Sequence, residues 1–170
     1  MAGSDSGAVS PTRVVVHQGS RVLEIEFSDG KLFRLPFELL RVYSPSAEVR
    51  GHGPGQEVLQ TGKADVGVES VESVGHYALQ PRFSDGHDTG IFSWDYLYWL
   101  GDNHEQLWQQ YLARIEAAGA SRQAAAPIQA ELEELGLEPG TPEWNGKRAE
   151  IAHRYAGALP YLQRTARLLE

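Results

Sequence analysis

The stretch FSDGHDTGIFSWDYLYWLG, residues 83–101, holds the side chains of this chain most able to do chemistry. Asp85, His87 and Asp88 lie close together in it, and His76 stands a short way upstream. Imidazole and carboxylate groups suit zinc, iron or manganese, and the same groups can move protons. Neither chemistry has its usual spacing here. His76 and His87 do not form a recognised two-histidine metal motif, so His76, Asp85, His87 and Asp88 are metal candidates by residue type alone. A hydrolase built on His87 with Asp85 or Asp88 would need Ser84 or Ser93 as nucleophile, and no Gly-x-Ser-x-Gly elbow is present. Turn aspartates commonly bond neighbouring backbone amides. The plainer reading is that Asp29 and Asp85 shape turns while His87 hydrogen-bonds across a corner. GHGPGQ, residues 51–56, lacks the Gly-Lys-Ser/Thr ending of a phosphate cradle and reads as a loop.

The aromatic residues of the same stretch point elsewhere. Phe92, Trp94, Tyr96, Tyr98 and Trp99 place five rings in eight residues, too many for one face of an amphipathic helix. Rings left outside would form an apolar patch of the kind that meets partners, unless the C-terminal part of the chain covers them.

Composition limits the function classes. The chain has 170 residues, 41% of them hydrophobic, which is enough for a core. With no cysteine, thiolate nucleophiles and Cys-ligated zinc or iron–sulfur clusters held by this chain alone are excluded. A formal net charge of −8 argues against a nucleic-acid binder, whose affinity comes from neutralising phosphates. No apolar run reaches membrane-spanning length and the N-terminus lacks a secretory pattern, so a cytoplasmic protein without a membrane partner is expected.

Residues 1–11 are small and polar and read as a flexible N-terminus. RVVVHQGSRVLEIEFSDGKLFRLP then predicts strand, turn, strand, turn, strand, with Gly30 free to take positive φ, and FELLRVY predicts a short helix halted before Pro45. HYALQPRF predicts a strand ending in a second SDG, with Pro81 placing it at an edge or bulge. The two FSDG segments, 27–30 and 83–86, each lie between strands that lead to a short helix. They suggest two similar β-β-α halves of an α+β domain with a small antiparallel sheet over 12–119. Ser93 is the expected N-cap of the second helix and Gly101 its stop; Asp102 and Glu105 resemble a capping box for a third, whose stripe is Leu107, Trp108, Tyr111, Leu112 and Ile115. Residues 120–170 read as a linker and a helical extension, with a seam from Ala152 through Tyr155, Leu159 and Leu162 to Leu169 and, because Gly157 and Pro160 interrupt it, a kink or restart near Leu159. That seam either completes its own domain or pairs with a second copy or a client.

LEIEFSDGKLFRLPFELLRVYSPSAEV, VGHYALQPRFSDGHDTGIFSWDYLYWLG and the helix that follows resemble the gamma-butyrobetaine hydroxylase-like N-terminal domain over residues 12 to about 115. It is an α+β family whose free-standing bacterial members are domains of unknown function. In the hydroxylases the domain resembles a zinc module, with a Cys-x-Cys-x-x-Cys run after a Leu-Arg pair and a later His. The pair here is Leu40-Arg41, and the metal positions fall on Ser44, Ser46, Val49 and His87. With the cysteines gone, the resemblance implies no zinc, and the iron and 2-oxoglutarate chemistry belongs to a separate catalytic domain. The same module occurs in some Mrp-type ATPases that carry iron–sulfur clusters, which implies an accessory role in cluster assembly or delivery. The resulting expectation is a non-catalytic adaptor without cofactor, meeting an Mrp-type carrier or related maturation factor through Phe92, Trp94, Tyr96, Tyr98, Trp99, Tyr155, Leu159 and Leu162. The alternative is a small metal- or ligand-binding protein or enzyme centred on His87, Asp85 and His76.

Overall fold

The computed structural model describes residues 8–123 and 131–155, the side chains of 153–155 excepted. Strands β1 (Pro11–His17), β2 (Val22–Phe27) and β3 (Leu32–Pro36) form one antiparallel meander, followed by helices α1 (Phe37–Val42) and α2 (Ala47–Arg50). A second meander of β4 (Val68–Val74), β5 (Ala78–Phe83) and β6 (Phe92–Ser93) leads into α3 (Trp94–Asp102) and α4 (His104–Ala117). The fold is α+β, and its halves are built as two three-stranded sheets rather than one. Both sheets feed a single core, in which Leu23, Ile25 and Phe27 of β2 meet Leu79 and Phe83 of β5 and Leu97 and Leu100 of α3.

The internal repeat is exact enough to follow bond by bond. Phe27 N–H donates to the Lys31 carbonyl at 2.9 Å and Gly30 N–H to the Phe27 carbonyl at 2.9 Å; Phe83 to His87 and Gly86 to Phe83 repeat these at 2.9 and 3.0 Å. Gly30 and Gly86 both take φ of +87°, a left-handed value that a side chain would strain. Ser28 exchanges bonds with Ser10, and Ser84 with Gly67, so each turn is also tied to the start of its first strand. Even the register shifts coincide, between Pro11 and Arg13 in one half and between Val68 and Ser70 in the other. Ser10 and Pro11 are therefore held in the sheet, while residues 1–7 lie outside the described ones.

Several local expectations change in the context of the whole. β5 is the middle strand of its sheet, but β6 pairs only with Ala78 and Leu79, so Pro81 lies beyond that pairing and costs no ladder bond. Every residue of α1 is buried, Glu38 and Arg41 included, because each finds an opposite charge. Ser93 caps α3 as expected, its Oγ accepting from Tyr96 N–H at 3.1 Å. Gly101 does not stop that helix, which runs to Asp102. Its role is close packing: a Cβ at Gly101 would stand 2.3 Å from the Phe33 ring. Asp102 belongs to α3 and binds Lys31 at 2.8 Å instead of capping α4, whose N-cap Asn103 makes no side-chain cap bond. In α4 Leu107, Tyr111 and Ile115 form the buried stripe, with Trp108 and Leu112 half-buried beside it.

The C-terminal extension begins as a strap rather than a free linker. Gly62 and Ala64 donate to the Ser121 and Arg122 carbonyls, and Arg122 clasps Glu38 of α1 with bonds of 2.9 and 2.6 Å while lying over Trp108. Farther on, Leu132 packs with Ile151, Trp144 and Ala152 of α5 (Pro142–Tyr155) in a small core, and Asn145 binds Glu69 of β4 at 2.9 Å. The expected seam contacts of Tyr155, Leu159 and Leu162, and the kink or restart near Leu159, lie outside the residues whose side chains are described. Among the described residues no helix is long and apolar enough to cross a membrane.

Gly101→Ala should lower stability by about 1–3 kcal/mol through overpacking against Phe33, despite alanine's better helix propensity. Urea denaturation of the variant measures it, and an unchanged or raised midpoint would show that Phe33 yields without cost.

Candidate functional site

Each FSDG turn reaches across to the helix of the other half. The Asp29 carboxylate accepts from Tyr98 Oη of α3 at 2.7 Å, and Asp85 accepts from Arg41 Nε of α1 at 2.8 Å. Within each turn the aspartate's other oxygen holds the backbone N–H two residues on, at Lys31 and at His87. The first contact joins an exposed carboxylate to an uncharged phenol, the second is a buried ion pair. Lys63 adds a second cation to Asp85, whose side chain is only 5% exposed. Burial alone would raise the Asp85 carboxyl, but Lys63 and Arg41 outweigh it and hold the pKa at about 2. Burial also pulls the Lys63 ammonium below its ordinary value, against the attraction of Asp85.

His87 leaves this turn pointing at the segment after α1. Its Nε2 lies 2.8 Å from Ser44 Oγ and 3.3 Å from Ser46 Oγ, and its Nδ1 lies 3.1 Å from Glu48 Oε2. The Glu48 carboxylate can only accept, so Nδ1 carries the proton and Nε2 of the neutral ring accepts from the serines. Burial, then the Arg41 charge, pulls the His87 pKa below its ordinary 6.5, despite Asp85 and Glu48. Ser44, His87 and Glu48 have the order of a nucleophile, base and acid. Ser44, however, is fully buried, which denies its hydroxyl the access to a carbonyl that acyl transfer needs.

Ser44, Ser46 and His87 are three of the four positions that the resemblance assigns to zinc ligands, and the fourth is the buried Val49. Two hydroxyls, one imidazole and an isopropyl group do not make a zinc donor set. Among the described residues no cluster of three or more His, Cys, Asp or Glu could hold a metal. His76 is not brought to this corner; it occupies the turn at the opposite end of β5 from Asp85, roughly 17 Å away at about 3.3 Å per strand residue, and its carbonyl accepts from Trp94 Nε1. Asp88 is half-exposed and faces Arg82 at 3.9 Å. Ser84 and Ser93 spend their hydroxyls on Gly67 and Tyr96 N–H groups, and neither is bonded to His87.

The same segment serves a second purpose. While Ser44, Ser46 and Glu48 hold His87, Val49 and Arg50 line an open groove of about 700 Å³ with Val58 and Leu59 of the following loop, Tyr96 and Trp99 of α3, and Tyr111 and Arg114 of α4. Of the five aromatic candidates, Phe92 is fully buried, Trp94 is pinned to His76, and Tyr98 packs edge-on against Phe27 and Phe33. Only Tyr96 and Trp99 reach the groove, stacked with centroids 5.6 Å apart, and Trp99 is 45% exposed. Val58, Leu59, Arg50 and Arg114 carried no sequence signal, since a loop and two different helices bring them together.

A model of the gamma-butyrobetaine hydroxylase-like, N-terminal family matches residues 14–98. Two solution NMR structures are similar: one 46% identical, with TM-score 0.61, 71% of this chain and 96% of the other covered; the second 49% identical, with TM-score 0.60, 72% and 90% covered. A crystal structure of a protein of unknown function of the DUF971 family from Acidithiobacillus ferrooxidans is 44% identical, with TM-score 0.46, over 54% of this chain and 92% of that one. No curated protein matches.

Asp85→Asn should cost about 3–5 kcal/mol, because Arg41 and Lys63 are left buried without their counter-charge. Asp29→Asn, at the equivalent exposed turn, should cost far less; equal urea midpoints for the two variants would refute this ranking. The pH dependence has two windows. Unfolded chains bind a proton at His87 near 6.5 and the folded chain only at lower pH, so its contribution is complete above 6.5 and lost as pH falls below it. The contribution of Asp85 is complete above its ordinary 3.8 and lost as pH falls towards about 2. Melting temperatures between pH 7 and pH 5 should fall less steeply for His87→Asn than for the parent, and parallel slopes would remove His87 as the source.

Proposed function

This chain belongs to the gamma-butyrobetaine hydroxylase-like N-terminal family, and from that premise we propose that it is a non-catalytic protein-interaction module whose partner enters the groove between α2, α3 and α4. One observation carries the reading: a tryptophan left 45% exposed, stacked on Tyr96, in an apolar concavity of about 700 Å³. Half-buried tryptophan and tyrosine in a concave apolar site are the residues from which binding hot spots are made. The volume falls in the range of sites that enclose a side chain or small ligand.

The polar corner supports this reading by what it does to the groove. Bonds from His87 to Ser44, Ser46 and Glu48 fasten the short helix that presents Val49 and Arg50. A four-residue helix has little stability of its own. His87 thus has a positioning role, and the alternative of an enzyme or metal site centred on His87, Asp85 and His76 gains no support from a serine that is buried and a histidine that is remote. For the setting, the resemblance to modules of Mrp-type ATPases favours a partner in iron–sulfur or metal-cofactor maturation.

Isothermal titration of the full chain with a purified Mrp-type ATPase from the same cells tests both parts. Trp99→Ala is expected to weaken binding by about tenfold or more, the loss of one hot-spot ring, with His87→Asn weakening it less. Binding indifferent to Trp99→Ala would remove the groove from the proposal, and no binding at all would remove this partner.

A further inference from the structure

We propose that the groove selects a peptide segment in which a carboxylate stands beside a large apolar side chain, with Arg50 and Arg114 as its anion-binding groups. The inference rests on the groove reading above and adds the chemistry of the occupant.

The chain is acidic, with 23 Asp and Glu against 15 Lys and Arg, and its cations are mostly matched. Arg41 and Lys63 share Asp85, Arg122 holds Glu38, Lys31 holds Asp102, and Arg13 and Arg34 share Glu24. Arg50 and Arg114 differ. Both line the groove, and among the described residues neither makes an ion pair. The lining contains one carboxylate, Glu57, so the concavity carries net positive charge on a molecule of net −8.

The tyrosine hydroxyls of the lining are already spent. Tyr43, Tyr96 and Tyr111 direct their hydroxyls inward to the carbonyls of Leu107, Tyr43 and Gln60, leaving ring faces for a ligand. The Arg50 guanidinium lies over the Tyr96 ring with its centre 4.8 Å from the centroid. That contact sets the guanidinium at the groove wall with no ion pair among the described residues, so its charge remains available to a carboxylate. An acidic segment thus gains two charge-assisted contacts beside an aromatic wall, and a basic one meets repulsion in the same place.

Selection of a randomised phage-displayed peptide library against the full chain tests this. Enriched sequences should join Leu, Phe or Trp to an adjacent or nearly adjacent Asp or Glu. A synthetic copy, followed by fluorescence anisotropy, should bind about tenfold or more weakly to Arg50→Gln/Arg114→Gln, and weaken similarly when its carboxylates are converted to amides. Added salt should weaken the parent complex more than that of the double variant. Because the two arginines have no ion pair to lose, the double variant should melt close to the parent, giving up only the contact of Arg50 with Tyr96. Enrichment of neutral apolar peptides whose binding depends on Trp99 but not on the arginines would overturn the anionic requirement and leave the groove reading standing. Retention of no peptide, or binding unchanged by Trp99→Ala, would overturn both. A dimer of the chain that Trp99→Ala dissociates in sedimentation would do the same, since a second copy would then be the occupant.

Discussion

The structure depends on one contact made twice: a turn aspartate of each half reaching the helix of the other. Asp29 meets Tyr98 and Asp85 meets Arg41, so each half's turn is braced by the other half's helix. The first half, Pro11–Val42, is shorter than the roughly 40 residues below which a chain seldom folds alone. Crossing the contacts makes the two sheets share one core, in which β2, β5 and α3 interleave. The large and small residues are exchanged as well. Phe33 of the first half presses on Gly101 of the second, and Gly90 of the second leaves room for Ser44 of the first.

The groove lies where the duplication stops being symmetric. On one side the pair is a phenol and an exposed carboxylate. On the other it is a buried carboxylate between two cations, next to a histidine where the first copy has Lys31. The chain between α1 and β4 is also longer than the single residue between α3 and α4, and it supplies α2 and the loop that make one side of the groove. The costly buried charges and the groove therefore occupy the same end of the molecule. The charges tie the extra segment down, and the extra segment gives the groove its outer wall.

This division explains what could be read in advance. The strands, the SDG turns and the repeat were legible because they rest on local chemistry: alternation, glycine at positive φ, aspartate bonding to amides. Ser93 was legible for the same reason, since a cap reads only three residues ahead. Gly101 and Asp102 misled because their partners, Phe33 and Lys31, come from the other half. The meeting of Ser44 and Ser46 with His87 was visible only through the family resemblance, which set these residues on shared metal positions. Glu48, Lys63 and the groove arginines had no signal at all, since nothing local distinguishes a surface charge from one that a distant element will cover.

The replaced donors at that corner have an energetic consequence. A structural zinc can supply on the order of 10 kcal/mol to a small domain, whereas each ordinary hydrogen bond contributes roughly 0.5–1.5 kcal/mol. Three hydrogen bonds at His87 cannot match a metal, so the segment that follows α1 must draw its anchoring from elsewhere. The nearest source is the Arg41–Asp85–Lys63 cluster, which joins α1 and the chain before β4 to the very turn that carries His87. The Arg122 clasp on Glu38 adds a second tie to α1 from the C-terminal side. A corner held by titratable groups rather than by a metal responds to protons instead of chelators. Both α1, through Arg41 and Val42, and α2, through Glu48, Val49 and Arg50, join that corner to the groove.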